Sequence, residues 1–305
     1  MIPWRKLGLW VEAPGGPLGA SHAMLPTPLA MDDRIRVFYA ACDGDMRGRI
    51  FFADLEIAPP HRVIGRSPGP VLDVGAPGSF DADGVNPSQV LADGDDLVLL
   101  YVGWRRGPAL TPYTLFTGLA RSRDGGLSFQ AERQPLLGPA PGEGLFRTAA
   151  SIARQGDGWR MVYIGGDTFI DDAAGKRVPV YGLRELRSQD PLRWTGPGRE
   201  VLAPDRAAGQ IGFGRPVVWR PGGGAAALML SIRTEAGYTL VETSLEALDA
   251  GRPDFTPVLA GPAEPWEAQM TCFGAPCVAG DRELLFYNGN GFGRTGFGLA
   301  WRPLP

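Results

Sequence analysis

Carboxylates, guanidiniums and one imidazole stand at matched distances from four tyrosines, and that spacing marks them for chemistry. Tyr39, Tyr101, Tyr163 and Tyr287 are separated by 62, 62 and 124 residues. Sixteen to eighteen residues ahead of a tyrosine lie His22, Asp83 and Arg147. With Ser231 taken as the counterpart in the double-length gap, Arg215 joins them, and Thr271 follows. Just beyond the tyrosines come Asp43 and Asp45, then Trp104, Arg105 and Arg106, then Asp167, Arg233 and Glu235, and last Asn288, Asn290 and Arg294. One carboxylate, Asp83, with cations from Arg147, Arg215 and His22, suits an anionic ligand such as a phosphate, a carboxylate or a sugar nucleotide, because guanidiniums grip oxyanions in two places at once. The alternative is a structural network in which Arg147 and Arg215 pair with Asp83 and with Glu143 or Glu235. His22 divides in the same way, between a hydrogen-bonded structural residue and a base or ligand contact. Trp104, Tyr113 and Phe116 could stack on the C–H face of a pyranose or pack on a neighbouring sheet.

The elements that must carry these residues are short strands. Each tyrosine sits near the end of the same phrase: DDRIRVFY (32–39), DDLVLLYV (95–102), DGWRMVYI (157–164) and DRELLFYN (281–288). Asp33, Asp95, Asp157 and Asp281 stand six residues before their tyrosines. A fifth copy falls in the long gap, where GGGAAALMLS (222–231) keeps the turn glycines and the apolar run. Each repeat reads as strand, tight turn, strand ending at the tyrosine, longer connection, strand, and often a fourth strand. Asp-Gly between alternating apolar residues, as in DGDD (93–96), is a hairpin signal. Strand repeats of this length imply a propeller or an array of modules rather than one wound sheet, and the body reads as a single closed one. The expected fold is therefore all-β, a five-bladed β-propeller occupying residues 1–305 as one domain. TSLEALDAG (243–251) is the best helical candidate and fits a fourth strand or a turn as well. In a propeller, the loops before each first strand and after each second strand open on one face, so a site there gathers residues from every blade.

Composition narrows the partners. The formal net charge is −3 and the 30 Lys and Arg are dispersed, which argues against nucleic acid. No run approaches the roughly 18 apolar residues of a membrane span. The three cysteines (Cys42, Cys272, Cys277) and two histidines (His22, His61) have no metal-ligand spacing. The cysteines read as small apolar residues in a reducing compartment, so a cytoplasmic address is expected. GNGFGRTGFG (289–298) lacks the strand-to-helix context of a phosphate loop and reads as a hairpin connection.

Two phrases, SRDGGLSF (122–129) and SQDPLRW (188–194), both read Ser-x-Asp followed by an aromatic, and the first fits the Asp-box of sialidases. The ending FYNGNGFGRTGFGLAW (286–301) looks like the last blade of five-bladed glycosidases. With the five repeats, nearly the whole chain resembles the five-bladed propeller superfamily of glycoside hydrolase families 32, 43, 62, 68 and 130. The Ser-x-Asp boxes themselves read as turns capped by their own side chains.

That resemblance implies an enzyme acting on a glycosidic bond, with an Asp base on the first blade, a second Asp on the second and a Glu acid on the third. Asp83 (or Asp81) matches the second. The first blade reads Ser-His-Ala-Met, with His22 nearest, so His22 or Asp43 stands opposite. Glu143, in a Gly- and Pro-rich loop, is the candidate proton donor. Such hydrolysis needs two carboxyl groups about 6.5–9.5 Å apart for inversion or about 5–5.5 Å for retention. Arg147, Arg215, Trp104, Asp167, Glu235 and Asn290 are the candidate substrate contacts. Family-130 phosphorylases bind phosphate in this region with basic residues, and some relatives hold a calcium ion in the channel. The expected partner is a small carbohydrate, with or without an anionic group, and no cofactor. Rival readings on the same fold are a sugar-tailoring enzyme of polysaccharide or glycoconjugate assembly and a non-catalytic sugar-binding propeller.

Overall fold

The computed structural model describes residues 2–261 and 264–304. Strand β1 (Arg5–Glu12) precedes an antiparallel meander of β2 (Ser21–Ala30), β3 (Ile35–Cys42) and β4 (Gly48–Leu55), edged by β5 (Val63–Arg66). The pattern returns as β6 (Gly84–Asp93), β7 (Asp96–Arg106), β8 (Tyr113–Ser122) and β9 (Gln130–Ala131). It returns again as β10 (Phe146–Gln155), β11 (Gly158–Asp171), β12 (Arg177–Ser188) and β13 (Arg199–Leu202). Then come β14 (Gln210–Trp219), β15 (Ala227–Thr234), β16 (Gly237–Ser244) and β17 (Thr256–Pro257). Last, β18 (Cys272–Ala279), β19 (Arg282–Asn288) and β20 (Gly296–Pro303) pair in order and take β1 as their outer strand. The segment read as helix, strand or turn contains a short helix, Leu245–Asp249, capped by the Ser244 side chain.

Sequence chemistry explains the regularity. The hairpins β6–β7, β10–β11 and β18–β19 turn at Gly94, Gly156 and Gly280, with φ of +63°, +59° and +60°. Glycine takes this left-handed conformation at no steric cost, and each is followed by one of the repeating aspartates. Alternation along the second strands then sends successive side chains to opposite neighbours. Tyr39 packs with Val11, Phe286 and Phe297, whereas adjacent Phe38 packs with Val85, Leu99 and Tyr101. Likewise Tyr163 joins Val98 and Leu100, and adjacent Val162 joins Phe213 and Leu230. Met229 joins Leu285 and Tyr287. The first strands also touch in rotation: β2 contacts β6 and β18, β10 contacts β6 and β14, and β14 contacts β18.

Every first strand is interrupted by a bulge, after Met24, Pro87, Thr148, Gly214 and Cys272. Leu25, Ala149, Arg215 and Phe273 occupy it with positive φ of 51°, 54°, 38° and 55°. Such strained, non-glycine positions re-aim side chains where strands end. Across from the bulges stand Tyr39, Tyr163 and Tyr287 and, in the fourth meander, Leu230. The fourth counterpart of the tyrosines is thus Leu230 rather than Ser231, one residue from the position that spacing alone suggested.

Candidate functional site

The bulges open onto a cavity of ≈ 340 Å³ that draws on all the meanders. Its aromatic wall is Trp104, Tyr113, Tyr181, Tyr238 and Phe273; Asn86, Thr148 and Arg215 supply polar groups. Larger clefts of ≈ 700 and ≈ 850 Å³ lie elsewhere. The first is at the far ends of β10 and β14 and the second is around the edge segment 131–136 and Trp194, each touching only two meanders. An aromatic wall with a few convergent polar groups is the usual make-up of a small-molecule site, and only the smaller cavity has it together with residues from every meander, so it is the candidate.

Arg215 lies at the cavity floor, 2 % exposed. Its guanidinium donates to Pro26 O (2.7 Å), Thr27 Oγ1 (2.7 Å) and Phe273 O (3.2 Å), tying the first strands together. Burial lowers its pKa to about 9, so it stays charged at neutral pH. Arg147 is placed differently. Its Nε lies 3.2 Å from Glu143 Oε2, and its two terminal nitrogens donate to Gly138 O and Gly196 O. For Arg147 the structural pairing with Glu143 is the arrangement that forms.

Glu143 is fully buried, accepting from Tyr163 Oη (2.6 Å) and Gly198 N (2.7 Å), with Arg184 Nη1 at 3.8 Å. Gly198 must be glycine: a Cβ there would fall 2.0 Å from the Tyr163 hydroxyl. The same bond recurs from Tyr101 to Asp81 (2.7 Å) and from Tyr287 to Glu267 (2.9 Å). In each pair the carboxylate stands twenty residues before its tyrosine. Glu143 and Asp81 are therefore copies of one repeating structural bond. The first repeat has Gly19 at that place, and the buried Tyr39 hydroxyl has no hydrogen-bond partner.

Asp83 is half-buried beside Gly84 of the cavity wall, and its Oδ2 accepts from Arg106 N (2.9 Å). Asp43 is half-buried beside Cys42 of the wall, with Oδ1 accepting from Asp45 N and Arg47 N and Oδ2 from Arg49 Nη1 (2.6 Å). Burial alone would raise the Asp43 pKa, but these hydrogen bonds and the Arg49 charge outweigh it and hold the carboxylate ionised. Arg106 donates to Asp45 O, so the Asp43 and Asp83 loops are joined.

His22 is buried with φ +66°, and its Nδ1 lies 2.8 Å from Ser21 Oγ. Burial and then the Arg294 charge lower its pKa, keeping it neutral. Asp167 is exposed at an irregularity within β11, and Glu235 is exposed on the turn between β15 and β16. Asn290 instead shapes a loop: its side chain accepts from Gln269 N and Met270 N and donates to Pro265 O. Asp124 of the Ser-x-Asp box accepts from Ser122 Oγ, Ser128 Oγ and the amides of Leu127 and Ser128, as the capping reading expects. Tyr181 and Tyr238 were not singled out by sequence reasoning, because a lone tyrosine on a strand looks like any half-buried core residue. Among the described residues no group of three or more His, Cys, Asp or Glu gathers as a metal site, and no helix is long and apolar enough to cross a membrane.

Comparison with solved structures decides the fold. BT0996, solved as an RGII complex, superposes with TM-score 0.72 at 17 % identity, covering 99 % of this chain and 93 % of that one. A thermostable family-43 glycoside hydrolase gives TM-score 0.62 at 15 % identity, covering 96 % and 92 %. The chain has the fold of the propeller glycoside hydrolases. A third structure belongs to the GH130 family of mannoside phosphorylases, which contains glycoside hydrolases that target β-1,2 mannosidic linkages in Candida mannan. It matches at TM-score 0.65 and 13 % identity, covering 99 % of this chain and 94 % of that one. No family model matches the sequence. In sequence this chain is 28 % identical over 317 aligned residues to uncharacterized protein Rv1502 of Mycobacterium tuberculosis H37Rv, covering 98 % of this chain and 99 % of that one. A counterpart from strain CDC 1551 matches equally.

Proposed function

We propose that residues 1–305 form one five-bladed β-propeller and that it is a carbohydrate-active enzyme acting on a glycosidic bond at the cavity where its first strands end. The rotation of contacts among β2, β6, β10, β14 and β18 supports the blade arrangement. The observation that carries the functional reading is the cavity itself. Five aromatic side chains face a space of ≈ 340 Å³, with Asn86 and Thr148 among them. Aromatic walls with a few fixed polar groups match a pyranose, which offers apolar C–H faces and hydroxyl edges. The fold neighbours that act on mannosides and other glycosides support the same class.

Asp83 and Asp43 are the carboxylates assigned to proton transfer, each one residue from the cavity wall. Asp43, held ionised, takes the part of base, and Asp83 is the carboxylate opposite it. Trp104 and Asn86 would bind the sugar, with Arg215 charging the floor. His22 is a neutral hydrogen-bonding group at the rim, and Asp167 and Glu235 would reach only a longer substrate. Glu143 and Arg147 act through the sheet they brace, not on the substrate. A cytoplasmic address belongs to the same proposal and is supported by three free thiols.

The test is turnover of a panel of aryl glycosides, with and without inorganic phosphate, by the wild type and Asp83→Asn. Cleavage lost in Asp83→Asn with sugar binding kept supports the reading, and a phosphate requirement makes the enzyme a phosphorylase. One observation favours a second reading, sugar binding without cleavage: among the described residues lining the cavity none is a carboxylate. Sugar binding with no turnover, indifferent to Asp83→Asn, would establish that alternative.

A further inference from the structure

The two arginines expected to hold an anion are already engaged. Arg147 is bound to Glu143 and two carbonyls, and Arg215 to the first strands. Arg233 keeps its charge unpaired: among the described residues it forms no ion pair with any carboxylate, and it is only half-buried. The β15–β16 register sets it directly across from Tyr238, whose ring centroid lies 5.7 Å from the guanidinium carbon. Its charge also reaches the cavity-lining Tyr113 and Tyr181, whose hydroxyls interact with each other.

These phenols are held rigidly. Tyr113 meets Phe169 edge-on at 5.3 Å, Tyr181 meets Phe146 edge-on at 4.9 Å, and Tyr238 tilts against Phe273 at 5.5 Å. Burial raises the pKa of all three, Arg233 opposing it only in part, so they remain protonated donors. A guanidinium held against Tyr238 but paired with no carboxylate, beside a cavity lined by three phenols, is an oxyanion cradle, since both kinds of group donate and no acid of the protein neutralises the charge.

We propose that Arg233 with Tyr113, Tyr181 and Tyr238 forms a subsite for the oxyanion of an acidic sugar, a carboxylate or a phosphate ester, while the aromatic wall holds the ring. This deepens the carbohydrate reading and rests on it. A charge-assisted bond of this kind tightens binding roughly tenfold or more.

Calorimetric titration tests it with glucuronate, galacturonate and glucose 1-phosphate against glucose, galactose and inorganic phosphate, on the wild type, Arg233→Gln, Arg233→Lys and Tyr181→Phe. At least one acidic sugar should bind roughly tenfold or more tightly than its neutral counterpart. Arg233→Gln should erase that preference and leave neutral-sugar affinity intact, Arg233→Lys should retain part of it, and Tyr181→Phe should reduce it. A uronate preference identifies the carboxylate as the source, and a preference for glucose 1-phosphate identifies the phosphate. Binding of inorganic phosphate alone, lost in Arg233→Gln, would keep the oxyanion subsite and sink the carbohydrate reading. Equal affinity for acidic and neutral sugars, or a preference that survives Arg233→Gln, would overturn the subsite and leave the carbohydrate reading standing. Binding of no oxyanion probe at all would also overturn the subsite.

Discussion

Replacing each repeat tyrosine by phenylalanine removes one hydroxyl from four equivalent places, and the structure assigns them unequal costs. Tyr101, Tyr163 and Tyr287 each donate to a buried carboxylate, at 2.7, 2.6 and 2.9 Å. A hydrogen bond to a charged group contributes about 1.5–3 kcal/mol. The carboxylates keep other partners when the hydroxyl goes: Ser79 Oγ on Asp81, Gly198 N and Arg147 on Glu143, Lys6 Nζ on Glu267. No charge is stranded, so each loss should stay within about that range. Tyr39 differs because its hydroxyl is buried without a carboxylate; burial raises its pKa, and Arg66 opposes this by its charge and a contact that falls outside normal hydrogen-bond geometry. Tyr39→Phe should therefore change stability by less than about 0.5 kcal/mol, or improve it, since an unsatisfied buried hydroxyl is itself a cost. Urea denaturation of the four single variants measures the series. If Tyr39→Phe proves as damaging as the other three, or all four are silent, the repeating bond is not what holds these positions.

Glu143→Ala should cost about 3–5 kcal/mol, because it leaves the Arg147 guanidinium buried without its carboxylate, while sugar affinity of the folded protein stays unchanged; normal stability with lost affinity would refute this. Asp124 has its carboxyl lowered to about 2: burial would raise it, but the bonds from Ser128, Ser122 and Leu127 prevail. Its contribution is thus present above about pH 4 and lost as pH falls towards 2, so melting midpoints of Asp124→Asn should fall less steeply over that window than those of the wild type, and identical slopes would refute the assignment.

The architecture was legible because the hairpin turns and the tyrosines obey one spacing, and both are fixed by backbone chemistry. The site was less so. Each first strand bends at a bulge, and one extra residue reverses which side chains face inward. Asp83, Arg147 and Arg215 therefore stand level when counted from the tyrosines, yet only Arg215 sits on the bulge and lines the cavity. Glu143 sits in a loop rich in Gly and Pro, as a solvated residue would; only its twenty-residue distance from Tyr163, shared by Asp81 and Glu267, betrays its structural part. The fourth repeat had lost its tyrosine, so its register could be read only from the ladder. Tyr181 and Tyr238 enter the cavity from third strands, where no repeated marker points to them.

The pairing of β1 with β20 has a mechanical corollary. Arg5 lies opposite Trp301 and Glu12 opposite Gly296, so the two outer ends of this ladder are at the same place. A force drawing the two ends of the chain apart would peel the ladder open one rung at a time from Arg5 and Trp301, instead of shearing all its hydrogen bonds together. The joint that unites the earliest and the latest strands is thus the one that yields first under tension.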